Sequence, residues 1–367
     1  MDQSRRPRLS PPIADVRRAV RDAFELLAFA EDAVVLVALS GGPDSLALAA
    51  AAAFEAPRAG LRAGAVIVDH GLQAGSAEVA EHAAEQARDL GLDPVVVRRV
   101  VVESDGGPEA AARVARYRAL DAAAAELGAV VVLLGHTLDD QAETVLLGLA
   151  RGSGATSLHG MAGVSGVGPG TGSGPGTGSG PGTGSGSGTG SGTGTGSGTE
   201  RRYARPLLGI RRAATVQFCA DSGLEPWTDP QNSDESFARV RVRNTVLPVL
   251  EKELGPGIAE ALARTAEQLR EDSDALDHFA EEIAEELADL AESGISLPVR
   301  ALASNPAALR QRLIRLAVES EFHVSLSRAQ TLEVARLVTH WHGQKALDLP
   351  GVRVERQGGL LIFTARK

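Results

Sequence analysis

Four uniformly apolar runs rich in β-branched residues, Val34 to Leu39, Ala65 to Val68, Val95 to Val102 and Val130 to Leu134, are each followed by a helical pattern. Strands that are apolar on both faces must be covered on both faces, which alternating helices do for a parallel sheet. The first 150 or so residues are therefore expected to form a Rossmann-like α/β layer, with helices over Ser45 to Phe54, Ser76 to Leu90, Pro108 to Leu127 and Asp140 to Leu149. Ser76 stands at a helix start, and Pro108 suits a first helical turn. In such sheets ligands bind at the carboxyl ends of the strands, so the chemistry is sought there.

The first strand turns abruptly into its helix in "VVLVALSGGPDSLALAA". Ser40, Gly41, Gly42, Pro43, Asp44 and Ser45 make the turn. Glycines let backbone amides approach a ligand, and the helix start behind them offers unpaired N–H groups and partial positive charge. That is an anion site, most simply for phosphate. It is neither a Walker loop nor Gly-x-Gly-x-x-Gly. The plainer alternative is a strand-to-helix turn with Asp44 or Ser45 as N-cap.

Two further runs lie at strand ends. Asp69 and His70 follow the second strand, and "GHTLDDQAETVLLGLARGSG" follows the fourth, bringing His136, Asp139, Asp140, Gln141 and Glu143. Helix capping explains Asp140 and Glu143 by spacing, and Asp139 by charge, yet so many polar groups exceed what capping needs.

Ser-Gly-Gly-x-Asp-Ser after a first strand resembles the PP-loop of the ATP pyrophosphatases, which implies ATP as substrate and Mg²⁺ held in part by Asp44. Together "SGGPDS", "VDHGL", "AARVARYRAL", "GHTLDDQAETVLLGLARGSG", "LHGM", "RPLL" and "WTDPQNSD" resemble the tRNA(Ile)-lysidine synthase family, in this order. The resemblance covers about Val34 to Leu250 apart from a Gly/Ser insertion, and the helical end more loosely. It implies a ligase that takes ATP, L-lysine and the isoleucine tRNA with a CAU anticodon. Such an enzyme adenylates the C2 oxygen of the wobble cytidine, displaces AMP at C2 with the lysine ε-amine, and moves codon reading from AUG to AUA.

The second step needs a proton acceptor, for which Asp139, Asp140, His136 and Asp69 stand as candidates. For the tRNA, Arg113, Arg116 and Arg118 on the third helix, Arg151 beyond the fourth, and Arg201, Arg202, Arg205, Arg239, Arg241 and Arg243 are expected to meet phosphates. Tyr117 joins them. The family usually has Asn after the first arginine of "ARVRVRN", where this chain has Val240, which leaves Arg239 and Arg241 open.

The domain plan is a basic tail and first helix over 1–30, the ATP-binding domain over 31–162 and a Gly/Ser/Thr-rich insertion over 163–199. An Arg-rich remainder of the catalytic domain over 200–250 and a smaller, mostly helical, tRNA-binding domain over 251–367 complete it. The insertion has no side chains with which to bury surface and is expected to loop out without altering the site. Apolar spacing from Ile258 to Leu290 describes an amphipathic helix, or two broken near Asp272 to Asp274. "ALDLPGVRVERQGGLLIFTARK" suggests a terminal hairpin turning at Gly358-Gly359.

The net charge of −10 argues against RNA only until it is located: Glu251 to Glu292 holds 14 acidic and 3 basic residues, a local excess of 11. One cysteine, Cys219, permits no internal disulfide or cysteine-ligated cluster. With no readable signal or membrane segment, a cytoplasmic protein is expected, and a homodimer is left open. His340 and His342 lack further ligands at zinc-like spacing. A tRNA thiolase on the same fold is the enzymatic rival, and a nucleotide-binding sensor without turnover the non-enzymatic one.

Overall fold

The computed structural model describes residues 9–71, 75–100, 108–152, 157–167, 201–287, 289–291 and 294–366. The first eight residues, Val101 and Val102 of the third apolar run, and 168–200, most of the Gly/Ser/Thr tract, lie outside the described residues. The chain packs as two compact units, one through Glu267 and one from Gln268.

In the first unit the expected α/β alternation is present: α1 (Pro11–Leu27), β1 (Val34–Ala38), α2 (Pro43–Glu55), β2 (Arg62–Asp69), α3 (Ser76–Asp89), β3 (Val95–Arg99), α4 (Pro108–Glu126), β4 (Ala129–Leu134) and α5 (Leu138–Arg151). Two strands join them, β5 (Val164–Val167) and β6 (Arg201–Ala204), and the sheet runs β3-β2-β1-β4-β6-β5. β5 is antiparallel to β6, so the sheet is mixed and mostly parallel, a correction to the all-parallel expectation. Val167 pairs with Arg201, so the described residues on either side of 168–200 are direct neighbours in the sheet.

Burial explains the layers. Every residue of β1 is buried, and its odd and even positions enter different cores. Val35 and Val37 pack with Val16, Val20 and Phe24 of α1 and with α2 and α3; Leu36 and Ala38 pack with Leu120 and Ala124 of α4. Each such aliphatic side chain contributes roughly 1.5–3 kcal/mol of transfer free energy. Because β2 flanks β1 on one side and β4 on the other, the strand order reverses there, and the loops after β1 and β4 open into one crevice.

After β6, α6 (Arg212–Asp221) and α7 (Ala238–Arg241) are followed by a π-helical turn over Val242–Val246 and by α8 (Leu247–Leu254). α9 (Ile258–Leu287) is continuous through Asp272 to Asp274, because Asp and Ser cost a helix interior well under about 1 kcal/mol each.

The second unit is less helical than the sequence suggests. Beside α10 (Val299–Ser304), α11 (Ala307–Phe322) and α12 (Arg328–Thr339) it carries five antiparallel strands, β7 (Asp289–Ala291), β8 (Gly294–Pro298), β9 (Leu347–Leu349), β10 (Val352–Gln357) and β11 (Leu360–Ala365). β10 and β11 form the terminal hairpin, with Gly358 and Gly359 at φ +57° and +86°, the left-handed pair a two-residue turn demands. Among the described residues no helix is long and apolar enough to cross a membrane.

Candidate active site

The loop after β1 is closed by its own serines. The Ser40 backbone N–H donates to Ser45 Oγ at 3.1 Å, and the Ser45 hydroxyl reaches Gly42 O at 3.0 Å. Gly41 sits at φ +82°, strained for any residue with a Cβ, and its carbonyl accepts from Trp227 N–H at 2.9 Å. Gly42 is the N-cap of α2 and Pro43 follows in the first turn, leaving the helix start open at the crevice. At the end of β4, Gly135 lies flush against this helix start. A Cβ there would stand 3.0 Å from the Ser45 backbone nitrogen.

Beside the loop, four carboxylates interlock with four guanidinium groups. Arg212, at the start of α6, sends Nη2 to Asp140 at 2.8 Å, Nη1 to Glu143 at 3.1 Å and Nε to Asp44 at 3.3 Å. Its own N–H donates to Asp139 at 2.7 Å, and Arg211 joins Asp139 to Glu260. Glu143, wholly buried, also receives Arg239 at 2.8 Å and Arg243 at 2.7 Å. Asp140 closes the first turn of α5 as well, accepting from the Thr137 N–H at 2.8 Å and hydroxyl at 2.9 Å.

Burial alone would raise the Asp140 carboxyl, but Arg212 and Arg239 outweigh it and bring it down to about 2. Glu143 is lowered in the same way, against burial, by Arg243, Arg212 and Arg239. Asp44 is different: burial raises it, and Thr215 and Arg212 offset only part of that.

A second group gathers imidazoles and arginines. Burial lowers His136 to about 3, with Arg205 and Arg116 adding to it and Asp140 opposing. Burial also lowers His70, and Arg116 again adds to the effect. Both Nδ1 atoms are buried without a hydrogen-bond partner. Burial lowers Arg116 itself, with Arg113 adding to the effect and Tyr117 and Tyr203 opposing it. Two imidazoles with unpartnered Nδ1 atoms beside desolvated guanidinium groups form a cationic cluster that an anion would complete.

The remaining predicted residues are distributed as follows. Asp69 turns back on its own loop, accepting from Gly71 N–H at 2.9 Å. The Gln141 amide clamps the Met161 backbone at 2.8 and 2.6 Å over Gly160, where a Cβ would stand 2.5 Å from Gln141 Oε1. Arg113 lies over the Tyr117 ring, which meets Tyr203 edge-on. Arg205 donates to Ala162 O at 2.9 Å; Arg118, Arg151 and Arg202 are exposed.

Arg239 and Arg243 face the carboxylate cluster, whereas Arg241 is exposed and donates to the carbonyls of Glu235 and Ser236. Their i, i+4 spacing was the available signal, since residues four apart share a helix face and one two apart does not. Arg212 and Thr215 are the residues that sequence reasoning missed. Nothing in "GIRRAATVQF" separates them from an ordinary helix start.

Among the described residues no three His, Cys, Asp or Glu side chains gather as a metal cage. A Mg²⁺ ion does not need one, because it keeps waters and takes phosphate oxygens beside one or two carboxylates. Asp44, a single carboxylate at the phosphate loop, fits that requirement.

Comparison with known proteins gives the following. The PP-loop domain family matches residues 15–250, and the TilS substrate binding domain family matches 297–361. The tRNA(Ile)-lysidine synthase of Leifsonia xyli subsp. xyli is 61% identical over 335 residues, 91% of this chain and 90% of that protein. Those of Thermobifida fusca and Streptomyces coelicolor are 48% and 49% identical, covering 97% and 90% of this chain and 98% and 85% of theirs. Among solved structures, the U34-tRNA thiolase of Methanococcus maripaludis with its 4Fe–4S cluster matches with a TM-score of 0.53 at 19% identity, over 71% of this chain and 80% of that one. At that identity the likeness is one of fold alone.

Proposed function

The chain belongs to the tRNA(Ile)-lysidine synthase family, and on that premise we propose that it ligates L-lysine to C2 of cytidine 34 in the CAU-anticodon isoleucine tRNA. The PP-loop domain implies ATP as co-substrate. The observation that carries the reading is the phosphate loop after β1 meeting the end of β4, where Gly135 abuts the α2 start and Arg212 ties Asp44 to Asp140 and Glu143.

In the first step the cytidine O2 attacks the α-phosphorus of ATP and the bond to pyrophosphate breaks. Loop amides from Ser40 to Ser45 and the start of α2 take up the charge of the leaving pyrophosphate. Asp44 would hold a Mg²⁺ ion, which would supply further charge neutralisation there. O2 is a weak nucleophile, so positioning matters more than deprotonation.

In the second step the lysine ε-nitrogen bonds to C2, the C2–O bond breaks, AMP leaves, and the nitrogen loses a proton. Asp139, Asp140 and Glu143 each already accept from guanidinium or backbone donors, which argues against them as the acceptor. His136 and His70 are neutral, with unpartnered Nδ1 atoms. A phosphate arriving beside Arg116 would raise their basicity, and we assign the proton to one of them.

Arg118, Arg151, Arg202 and Arg241 are the exposed arginines offered to tRNA phosphates, while Arg243 and Arg239 serve the carboxylate cluster. The thiolase alternative lacks its chemistry: Cys219 is the chain's one cysteine, and burial pushes its thiol up to about 11. The test is incorporation of labelled lysine into a CAU-anticodon isoleucine tRNA transcript with ATP and Mg²⁺. Incorporation that ceases when C34 is replaced by U supports the reading; no incorporation with active, folded protein refutes it.

A further inference from the structure

Asp44 is the carboxylate of the phosphate loop, yet the residues that fix its direction come from far along the chain, on α6. Its Oδ1 accepts from the Thr215 hydroxyl, and its Oδ2 faces Arg212 Nε at 3.3 Å. Thr215 is wholly buried, and its Oγ1 also lies 2.8 Å from Arg212 O, the carbonyl three residues earlier in the same helix. One hydroxyl proton therefore has two acceptors within reach.

Arg212 is anchored in a different way. If Nε loses Asp44, Nη1 and Nη2 remain on Glu143 and Asp140 at 3.1 and 2.8 Å, and the backbone N–H remains on Asp139. Thr215 can thus release Asp44 without leaving a buried donor unsatisfied, while Arg212 stays anchored through its other nitrogens and frees a single N–H. An ordinary structural ion pair has no such second acceptor. The arrangement orients a carboxylate while leaving it exchangeable.

We propose that Thr215 and Arg212 are positioning residues that hold Asp44 aimed at the phosphate loop and yield it when a cation-bound triphosphate arrives. The proposal rests on the reading of Asp44 as the carboxylate that meets the nucleotide's metal ion. Thr215 acts through orientation, and Arg212 through orientation and charge. On release, Arg212 Nε becomes a donor free to turn towards the incoming phosphates.

The test is equilibrium binding of ATP to the full chain without tRNA, in Mg²⁺ and in EDTA, read as the gain in affinity that Mg²⁺ confers. Thr215→Val keeps the side-chain shape and is expected to cut that gain about tenfold, the effect of losing one hydrogen bond to a charged group, while binding in EDTA is unchanged. Thr215→Ser is expected to restore it. Arg212→Lys, which cannot span three carboxylates, is expected to lower the gain as well.

An equal loss in Mg²⁺ and in EDTA would mark Thr215 as merely structural and overturn the proposal. Asp44→Asn separates the two possible failures. If it keeps the full Mg²⁺ gain, the reading of Asp44 falls and the proposal with it. If Asp44→Asn abolishes the gain while Thr215→Val and Arg212→Lys keep it, the positioning proposal alone is overturned.

Discussion

Arg243 meets Glu143 side-on, with Nε 2.7 Å from Oε1 and Nη2 3.1 Å from Oε2, a two-pronged pairing around a carboxylate that has no exposed surface. Arg239 and Arg212 complete the ring around it. Glu143→Ala would leave three guanidinium groups without their shared counter-charge, at a cost of about 3–5 kcal/mol in urea unfolding. Glu143→Gln keeps the volume and should cost less. A loss below about 1 kcal/mol for the alanine variant would contradict the assignment of Glu143 to the framework.

His136 ties stability to pH. Its folded value, lowered by burial to about 3, lies below its ordinary 6.5, so the unfolded chain binds the proton more readily. Its contribution is complete above pH 6.5 and is lost as pH falls from there towards 3. His136→Gln should flatten the slope of unfolding free energy against pH in that window, and an unchanged slope would show that His136 is not held neutral.

Gly135 offers a test of the β4–α2 contact. An alanine Cβ would lie 3.0 Å from Ser45 Cα and N and 3.1 Å from Asp44 C, all backbone atoms of the helix that begins the phosphate site. Gly135→Ala should displace that helix start by a few tenths of an ångström and weaken ATP binding by about tenfold or more. Unaltered ATP affinity would mean that the loop does not need this close fit.

The 33 residues from 168 to 200 join the partnered residues Val167 and Arg201, so they can be replaced by a two-residue Asn-Gly turn without stretching the β5–β6 hairpin. Ligation should persist near the parent rate, and stability should rise by on the order of 2 kcal/mol from the shorter closure. A large drop in kcat/KM for tRNA with unchanged ATP affinity would show that the tract contacts RNA.

The strands and helices of the PP-loop sheet were legible because buried parallel strands are contiguous apolar runs, as in Val34 to Ala38. β5 and β6 were not, since "VSGV" merges with a glycine-rich tract and "RRYA" has one large apolar side chain, Tyr203, whose burial only the fold supplies. Capping spacing paired Asp140 with Glu143, whereas the α5 start pairs Thr137 with Asp140 and leaves Glu143 to the arginines. It gave no hint that Arg212, more than seventy residues later, would join Asp140 to Asp44 and Glu143, because the encounter depends on where α6 packs. The short strands β7 and β9, three residues each, carry too little alternation to be read at all.

The central claim is that the tRNA base, and not lysine, takes the adenylate. Incubating the protein with ATP labelled at the α-phosphate, Mg²⁺ and the CAU-anticodon tRNA, but no lysine, should place label on the RNA. Adding lysine should then discharge it as AMP with one lysine left on C34. Label that never reaches the RNA, or AMP formed from ATP and lysine without tRNA, would contradict the account.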